Sequence, residues 1–281
     1  MVNLPHPPAM NIKTVVFFLC LSLCACAVEN SPVQLPSQVL QVAEGQSVLI
    51  RLNEGEVTVL GGENGQVRVD GQILFPNRTE YNVTSADHQT QILADYAGGR
   101  SSGIPVRLEV HVPSHVELKI ETEFASVLVR DYEGELEAAS VSGDIMVEDV
   151  RGIIAARSNR GDVNVRESTG KISVVGNYGL LTVEDVQGDI GVSTIMGTIE
   201  FNGLIHAGDT VRLETDHGPV AVNLSPASAF SLRVRSNSGD VACVLPGVSS
   251  SIRTCDGELS SGGGALTIRT VSGPVTLQWI P

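Results

Sequence analysis

The amino-acid sequence predicts an all-β protein, a single-stranded parallel β-solenoid with 18- to 21-residue coils and irregular N-terminal coils. Three observations carry that expectation. Gly recurs at 134, 143, 152, 161, 170, 179, 188 and 197, always nine residues apart. The second and fourth residues after each of these glycines are apolar, from Leu136/Ala138 and Ile145/Val147 through to Ile199/Phe201. The residues three before each Gly alternate between two chemistries along the chain.

Each element follows from these. Apolar residues two apart with polar ones between them describe a short strand buried on one side, and the helical period is absent. Gly at each strand entrance supplies the backbone freedom of a tight corner. Three residues before positions 143, 161, 179, 197, 218, 239 and 273 stand Ser140, Ser158, Gly176, Thr194, Thr215, Ser236 and Thr270, and Thr122 precedes Ala125 in the same way. Before 134, 152, 170 and 188 stand Asp131, Asp149, Glu167 and Asp185. One corner bears hydroxyls and the other acids, so the unit is two nines. A single coil of that size has no core to offset its ordering entropy, whereas stacked coils share one.

Beyond Gly197 the step lengthens to 21 residues, reaching Gly218 and Gly239. The stretch from Gly239 to Gly273 reads as a long loop followed by a final coil. Upstream, Val48–Leu52, Glu56–Leu60, Gln66–Val69 and Val106–Val112 alternate without the strict period and read as caps. No break in composition divides them from the repeats, so one domain is expected over 44–281, preceded by a polar tether at 26–43 and a leader at 1–25.

That leader carries an address. Lys13 precedes an apolar run from Thr14 to Leu23, too short for a ~30 Å hydrocarbon core but suited to a signal peptide. It ends in Leu23-Cys24-Ala25-Cys26, which has the pattern of a bacterial lipobox, with Cys26 as the residue to be acylated and the first of the mature chain. Membrane attachment through this N-terminal lipid is expected, in the outer membrane if the cell has two. Cys243 and Cys255 also survive maturation, and in an oxidising envelope they are expected to pair.

Composition narrows the partners. The chain is 42% hydrophobic, enough for a core, but only 4% aromatic, too little for an aromatic ligand cage. A net charge of −14 argues against nucleic acid, which needs clustered Lys and Arg. No cofactor is expected. Nonapeptide calcium rolls need two Gly and an Asp in every repeat, and Ile153, Lys171, Leu180 and Thr198 break that rule. The acidic corner is the better cation candidate: Asp131, Asp149, Glu167 and Asp185 would stand about 4.8 Å apart, a spacing a divalent ion can bridge. A solvated charged edge is the preferred reading of these four residues, with the cation ladder the alternative to it. Arg160-Gly161-Asp162 spells an integrin-binding tripeptide, but the repeat already demands its Gly. Ser168-Thr169-Gly170-Lys171 matches a penicillin-recognition motif without its companions. His111 and His115 flank Pro113 in strand-like sequence and share no helix face.

Val106-Arg107-Leu108-Glu109-Val110-His111-Val112-Pro113, then Leu118-Lys119-Ile120-Glu121-Thr122, the repeated Thr/Ser-x-x-Gly coils, and Gly262-Gly263-Gly264-Ala265-Leu266-Thr267-Ile268-Arg269-Thr270 together resemble the bacterial putative-adhesin family. That family has no assigned biochemical activity and is related to the head domains of putative autotransporter adhesins. The resemblance covers roughly 46–281 and implies a parallel β-solenoid with no catalytic residues to carry over. Ala125 and Gly176 depart from its pattern and imply two softer corners. The expected function is a lipid-anchored, non-catalytic binding, adhesion or scaffold module of the cell envelope, its partner a protein or polysaccharide. The alternatives are a polysaccharide-acting enzyme, which would want paired carboxylates on one face, and an envelope-stress regulatory partner protein.

Overall fold

The computed structural model describes residues 31–43, 45–62, 65–86, 88–99, 103–260 and 263–280. Cys26, the leader and the start of the tether lie outside them. The irregular N-terminal part holds β1 (Val33–Gln34), β2 (Gln38–Gln41), β3 (Ser47–Leu52), β4 (Glu56–Gly61), β5 (Gln66–Ile73), β6 (Thr79–Ala86), β7 (Gln89–Tyr96), β8 (Val106–Val112) and β9 (Glu117–Thr122). The repeats form β10 (Ser126–Ser140), β11 (Ile145–Ser158), β12 (Val163–Arg166), β13 (Thr169–Gly176), β14 (Leu180–Glu184), β15 (Gln187–Thr194), β16 (Thr198–Gly203), β17 (Thr210–Thr215) and β18 (Val220–Leu224). The C-terminal part adds β19 (Phe230–Ser236), β20 (Val241–Val244), β21 (Ser249–Ser251), β22 (Thr254–Leu259), β23 (Gly264–Thr270) and β24 (Val275–Trp279). Among the described residues the sole helical turn is Pro76–Arg78.

Each coil lays one strand on each of two faces. The first face runs through β9, the second half of β10, the second half of β11, β13, β15 and β17, all parallel and in register. The second runs through β4, the first half of β10, the first half of β11, β12, β14, β16 and β18. The 18-residue period is visible in the pairing itself: Val147 stands opposite Val165, and Val165 opposite Val183. All sixteen apolar residues of the post-glycine pairs point between the faces, none more than 3% exposed. That stripe of Val, Ile and Leu is the core, and its burial drives the stacking.

Both ends are interleaved. The coil β3–β4 does not cap the stack, because β7 and β8 lie outside it and β9 and β10 inside. The last coil, β23–β24, likewise sits between β17–β18 and the outer β19–β20. Each outermost coil is then covered by antiparallel strands, β5 and β6 at one end and β22 at the other. After Gly239 the long loop expected is instead β20, β21 and β22, and the final coil expected beyond it is present as β23 and β24. Within the segment read as a tether, β1 and β2 pair with β5. Cys243 on β20 and Cys255 on β22 are joined by a disulfide with Cα atoms 6.5 Å apart. Closing a ring of this size lowers the entropy of the denatured chain, a stabilisation of about 3 kcal/mol.

Candidate functional site

Both corners sort into backbone requirements. Asp131, Asp149, Glu167 and Asp185 all adopt left-handed backbone, with φ of 52°, 48°, 53° and 49°. Asp is among the few L-residues that tolerate this region, because its short polar side chain bonds locally. The acidic ladder thus records a conformation repeated four times. Among the described residues no three ligand-type side chains gather as a metal site. Asp149→Asn should leave the melting temperature nearly unchanged, while Asp149→Val should cost roughly 1–2 kcal/mol by forcing a β-branched residue into left-handed backbone. Thermal melts of the two variants decide this; equal, large losses would return the corner to a role for its charge.

The hydroxyl corner is a chain of side-chain-capped turns. The Gly143 amide donates to Ser140 Oγ at 2.7 Å, Gly161 to Ser158 at 2.9 Å, Gly197 to Thr194 at 2.9 Å and Gly218 to Thr215 at 3.0 Å. Gly239 and Gly273 repeat this with Ser236 and Thr270, both at 2.8 Å. A hydroxyl three residues before Gly satisfies an amide the turn would leave bare. The two departures have reasons. Thr122 donates instead to the Ala125 carbonyl at 3.1 Å, and the space a side chain at Gly176 would need is filled by Leu181. Asp162, the acid of the integrin-like tripeptide, accepts from the Leu180 amide at 2.8 Å, as Asp144 does from Asp162 at 2.9 Å. Ser168 is fully buried, donating to the Arg166 carbonyl and accepting from the Val150 amide. These motif residues hold the coils together.

Outward columns carry the surface chemistry. On the second face Arg130 and Arg166 flank Glu148, at 2.6 and 2.8 Å, and the column continues into Asn202, Asn223 and Gln278, joined amide to amide at 2.7 and 2.9 Å. The hydrogen bond from Arg166 holds the Glu148 carboxyl below the usual carboxylate range, with both guanidinium charges adding to it. A lowered folded pKa stabilises above the unfolded value of about 4.3, and that contribution is lost as pH falls through the lowered value. Glu148→Gln should therefore shrink the drop in melting temperature between pH 7 and pH 3; an unchanged drop would remove Glu148 from the acid response. On the first face the hydrogen bond from Arg51 lowers Glu121 in the same way.

Beside this column the second face is concave. A cleft of about 500 Å³ crosses five coils, from β4 to β14. Its floor includes Leu128, Met146 and Asn164, with Leu180 and the acids Glu56, Asp144 and Asp162 along one side. The Asn164 side-chain oxygen Oδ1 is buried there without a hydrogen-bond partner. Apolar residues at outward strand positions are the signal that marks this cleft, and attention to the inward pairs alone passes over them. A second feature escapes the same way. The two central residues of the hydroxyl-corner turns include Phe124, Val141, Tyr178, Ile195, Met196 and Val271, all exposed.

The sequence-derived candidates divide accordingly. The structure pairs Cys243 with Cys255 and stacks the four acids on one edge, and Cys26 falls outside the described residues. No helix among the described residues is long and apolar enough to cross a membrane.

No curated protein matches the chain. Among solved structures, a putative adhesin from Bacteroides fragilis NCTC 9343 is similar over 89% of this chain and 97% of its own, with 11% identity and a TM-score of 0.42. A putative cell adhesion protein from Clostridium sporogenes ATCC 15579 is similar over 89% and 100%, with 11% identity and a TM-score of 0.29. A putative adhesin from Parabacteroides distasonis ATCC 8503 gives 90% and 98%, with 10% identity and a TM-score of 0.32. Likeness at this level carries no argument about function. Residues 107–278, more than half of the chain and all of the regular coils, match Toastrack DUF4097, and the chain belongs to that family.

Proposed function

We propose that the protein is a lipid-anchored module of the cell envelope that binds without catalysis, holding an extended protein or polysaccharide along the cleft of the second face. The cleft itself supports this reading. It lies across the strands, so a bound chain meets one side chain from each of five coils, about 19 Å in all at the spacing of adjacent strands. Leu128, Met146 and Leu180 supply apolar contact, and the Asn164 side-chain Oδ1 can accept a hydrogen bond from a bound chain. A rigid parallel stack keeps these contacts in place, which lowers the ordering cost of binding.

The enzymatic alternative is weakened at the same place. Asp144 and Asp162 are the adjacent carboxylates of the cleft, and each accepts a backbone amide from the next coil. Two carboxylates engaged in holding coils are poorly placed to serve as acid and base.

Calorimetric titration with envelope glycans and extended peptides tests the proposal. A ligand of the cleft should bind the parent protein and lose at least tenfold in affinity to Met146→Lys, an exposed change that leaves the melting temperature in place. If every ligand found binds parent and variant alike, the cleft is not the contact surface. Mass spectrometry of the membrane fraction tests the anchor: an acylated peptide beginning at Cys26 is expected, and a free Ala27 or Val28 terminus contradicts it.

A further inference from the structure

The exposed turn tips of the hydroxyl corner form one continuous edge. Their order along the stack follows the strand register, since Thr122, Ser140, Ser158, Gly176, Thr194, Thr215, Thr270 and Ser236 are successive partners. The tips in that order are Glu123-Phe124, Val141-Ser142, Asn159-Arg160, Asn177-Tyr178, Ile195-Met196, Asp216-His217, Val271-Ser272 and Asn237-Ser238. The edge is also stiff, because the ladder hydrogen bonds continue through it. Tyr178 donates its amide to the Asn159 carbonyl at 3.1 Å, Met196 to Asn177 at 2.9 Å, His217 to Ile195 at 2.9 Å and Ser272 to Asp216 at 2.9 Å.

We infer that this edge is a self-association surface, occupied by the same edge of a second copy running antiparallel. Three features of the edge select that occupant. A ladder of tips about 4.8 Å apart is commensurate along its length with another ladder of the same period. The six inner tips are also palindromic in chemistry about the midpoint between Tyr178 and Met196, whereas the outermost pair, Glu123-Phe124 against Asn237-Ser238, is not. A two-fold axis there sets Asn177-Tyr178 against Ile195-Met196, Asn159-Arg160 against Asp216-His217, and Val141-Ser142 against Val271-Ser272. Apolar meets apolar, and the exposed Arg160 meets the exposed Asp216, twice in each dimer as two-fold symmetry requires. Finally, Tyr178 and Met196, 49% and 56% exposed, stand at the centre of the strip, where buried aromatic and Met side chains contribute most. Eight tips make a strip about 34 Å long and one turn wide, smaller than the ~800 Å² per partner of a standard stable interface. The dimer is accordingly weak and concentration-dependent. This surface is separate from the cleft, and neither reading depends on the other.

Sedimentation velocity, on protein carrying Cys26→Ser so that no lipid contributes, gives the test. The parent should shift from monomer to dimer as concentration rises to about 0.5 mM. Arg160→Glu and Asp216→Arg should each weaken association at least tenfold, because each sets like charges face to face. Combining them restores opposite charges in every pair and should restore the dimer. All of these positions are exposed, so melting temperatures should stay within a few degrees of the parent and separate lost association from lost fold. A parent that remains monomeric throughout, a dimer indifferent to both single changes, or a double variant no better than the singles would each overturn the antiparallel pairing.

Discussion

Val165→Asp is expected to unfold the regular coils, whereas Asn164→Asp is expected to leave them folded. Val165 is fully buried between the faces, in register with Val147 and Val183, which are buried as well. A carboxylate there loses its hydration with no donor among the valines around it, a cost of several kcal/mol against a total stability of roughly 5–15 kcal/mol. The loss spreads, because each coil is ordered by its two neighbours and a broken middle coil leaves two shorter stacks. Asn164 is next in sequence but faces the cleft. Its conversion puts a half-buried negative charge beside Asp162 on the outer side of the strand, not between the faces, so a loss of about 1–2 kcal/mol, well short of unfolding, is expected. Denaturant melts of both variants check this, and similar losses would mean that the inward and outward assignments are wrong.

The second large effect is expected at the acidic-corner glycines. Gly152 has φ of 132°, and a methyl group built on it would lie 2.2 Å from the Gly134 carbonyl oxygen, a backbone atom that cannot rotate away. Gly170 meets Gly152 in the same manner at 2.0 Å, so the column repeats a close approach from coil to coil. Gly152→Ala must strain its own backbone and push two coils apart at one corner. The conformational part costs about 1–3 kcal/mol and the overpacking a similar amount, for a total near 3–5 kcal/mol. Gly99→Ala is the control, since a methyl group there meets nothing within 4 Å. It should shift stability by no more than about 0.5 kcal/mol. Equal effects at the two positions would show that the corners do not approach as closely as described.

These two experiments bear on what the sequence makes legible. The inward residues could be read directly because burial acts on every second residue, and Val163 and Val165 obey the same rule as Ile199 and Phe201 two coils away on the same face. Corner chemistry was legible as a pattern but not as a cause. Four acids in a column look like charge, and only the left-handed φ at Asp131, Asp149 and Asp185 gives the aspartates a backbone reason, one that the longer side chain of Glu167 does not share. The ends were not legible. Gly218, Gly239 and Gly273 head coils of the same local pattern, so sequence alone gives them chain order, while the structure stacks Gly273 between the other two. The choice rests on which faces are left for β22 to cover, a long-range packing matter with no local signature. The cleft was missed for a related reason: Leu128 and Met146 are unremarkable residues until parallel register sets them side by side.

Interleaving also explains how a solenoid avoids raw edges. A terminal parallel strand exposes unpaired amides and carbonyls and invites unwanted pairing. Here the chain's last coil is enclosed, and the outer coil is tied down by β22 and by the Cys243–Cys255 disulfide. The polar columns and the cleft thus lie between two ends that are each covered by antiparallel strands.

Native-state amide hydrogen exchange on β24 tests this arrangement most directly. Val275–Trp279 is the last described strand in chain order, and coils stacked in that order would leave it on the edge, where a strand opens by local fraying. Enclosed between β18 and β20, its amides should instead exchange as slowly as those of β14 in the middle of the repeats, through opening of the whole coil array. Exchange of β24 within minutes, ahead of β20, would show that the last coil lies outside the stack and that the ends are not interleaved.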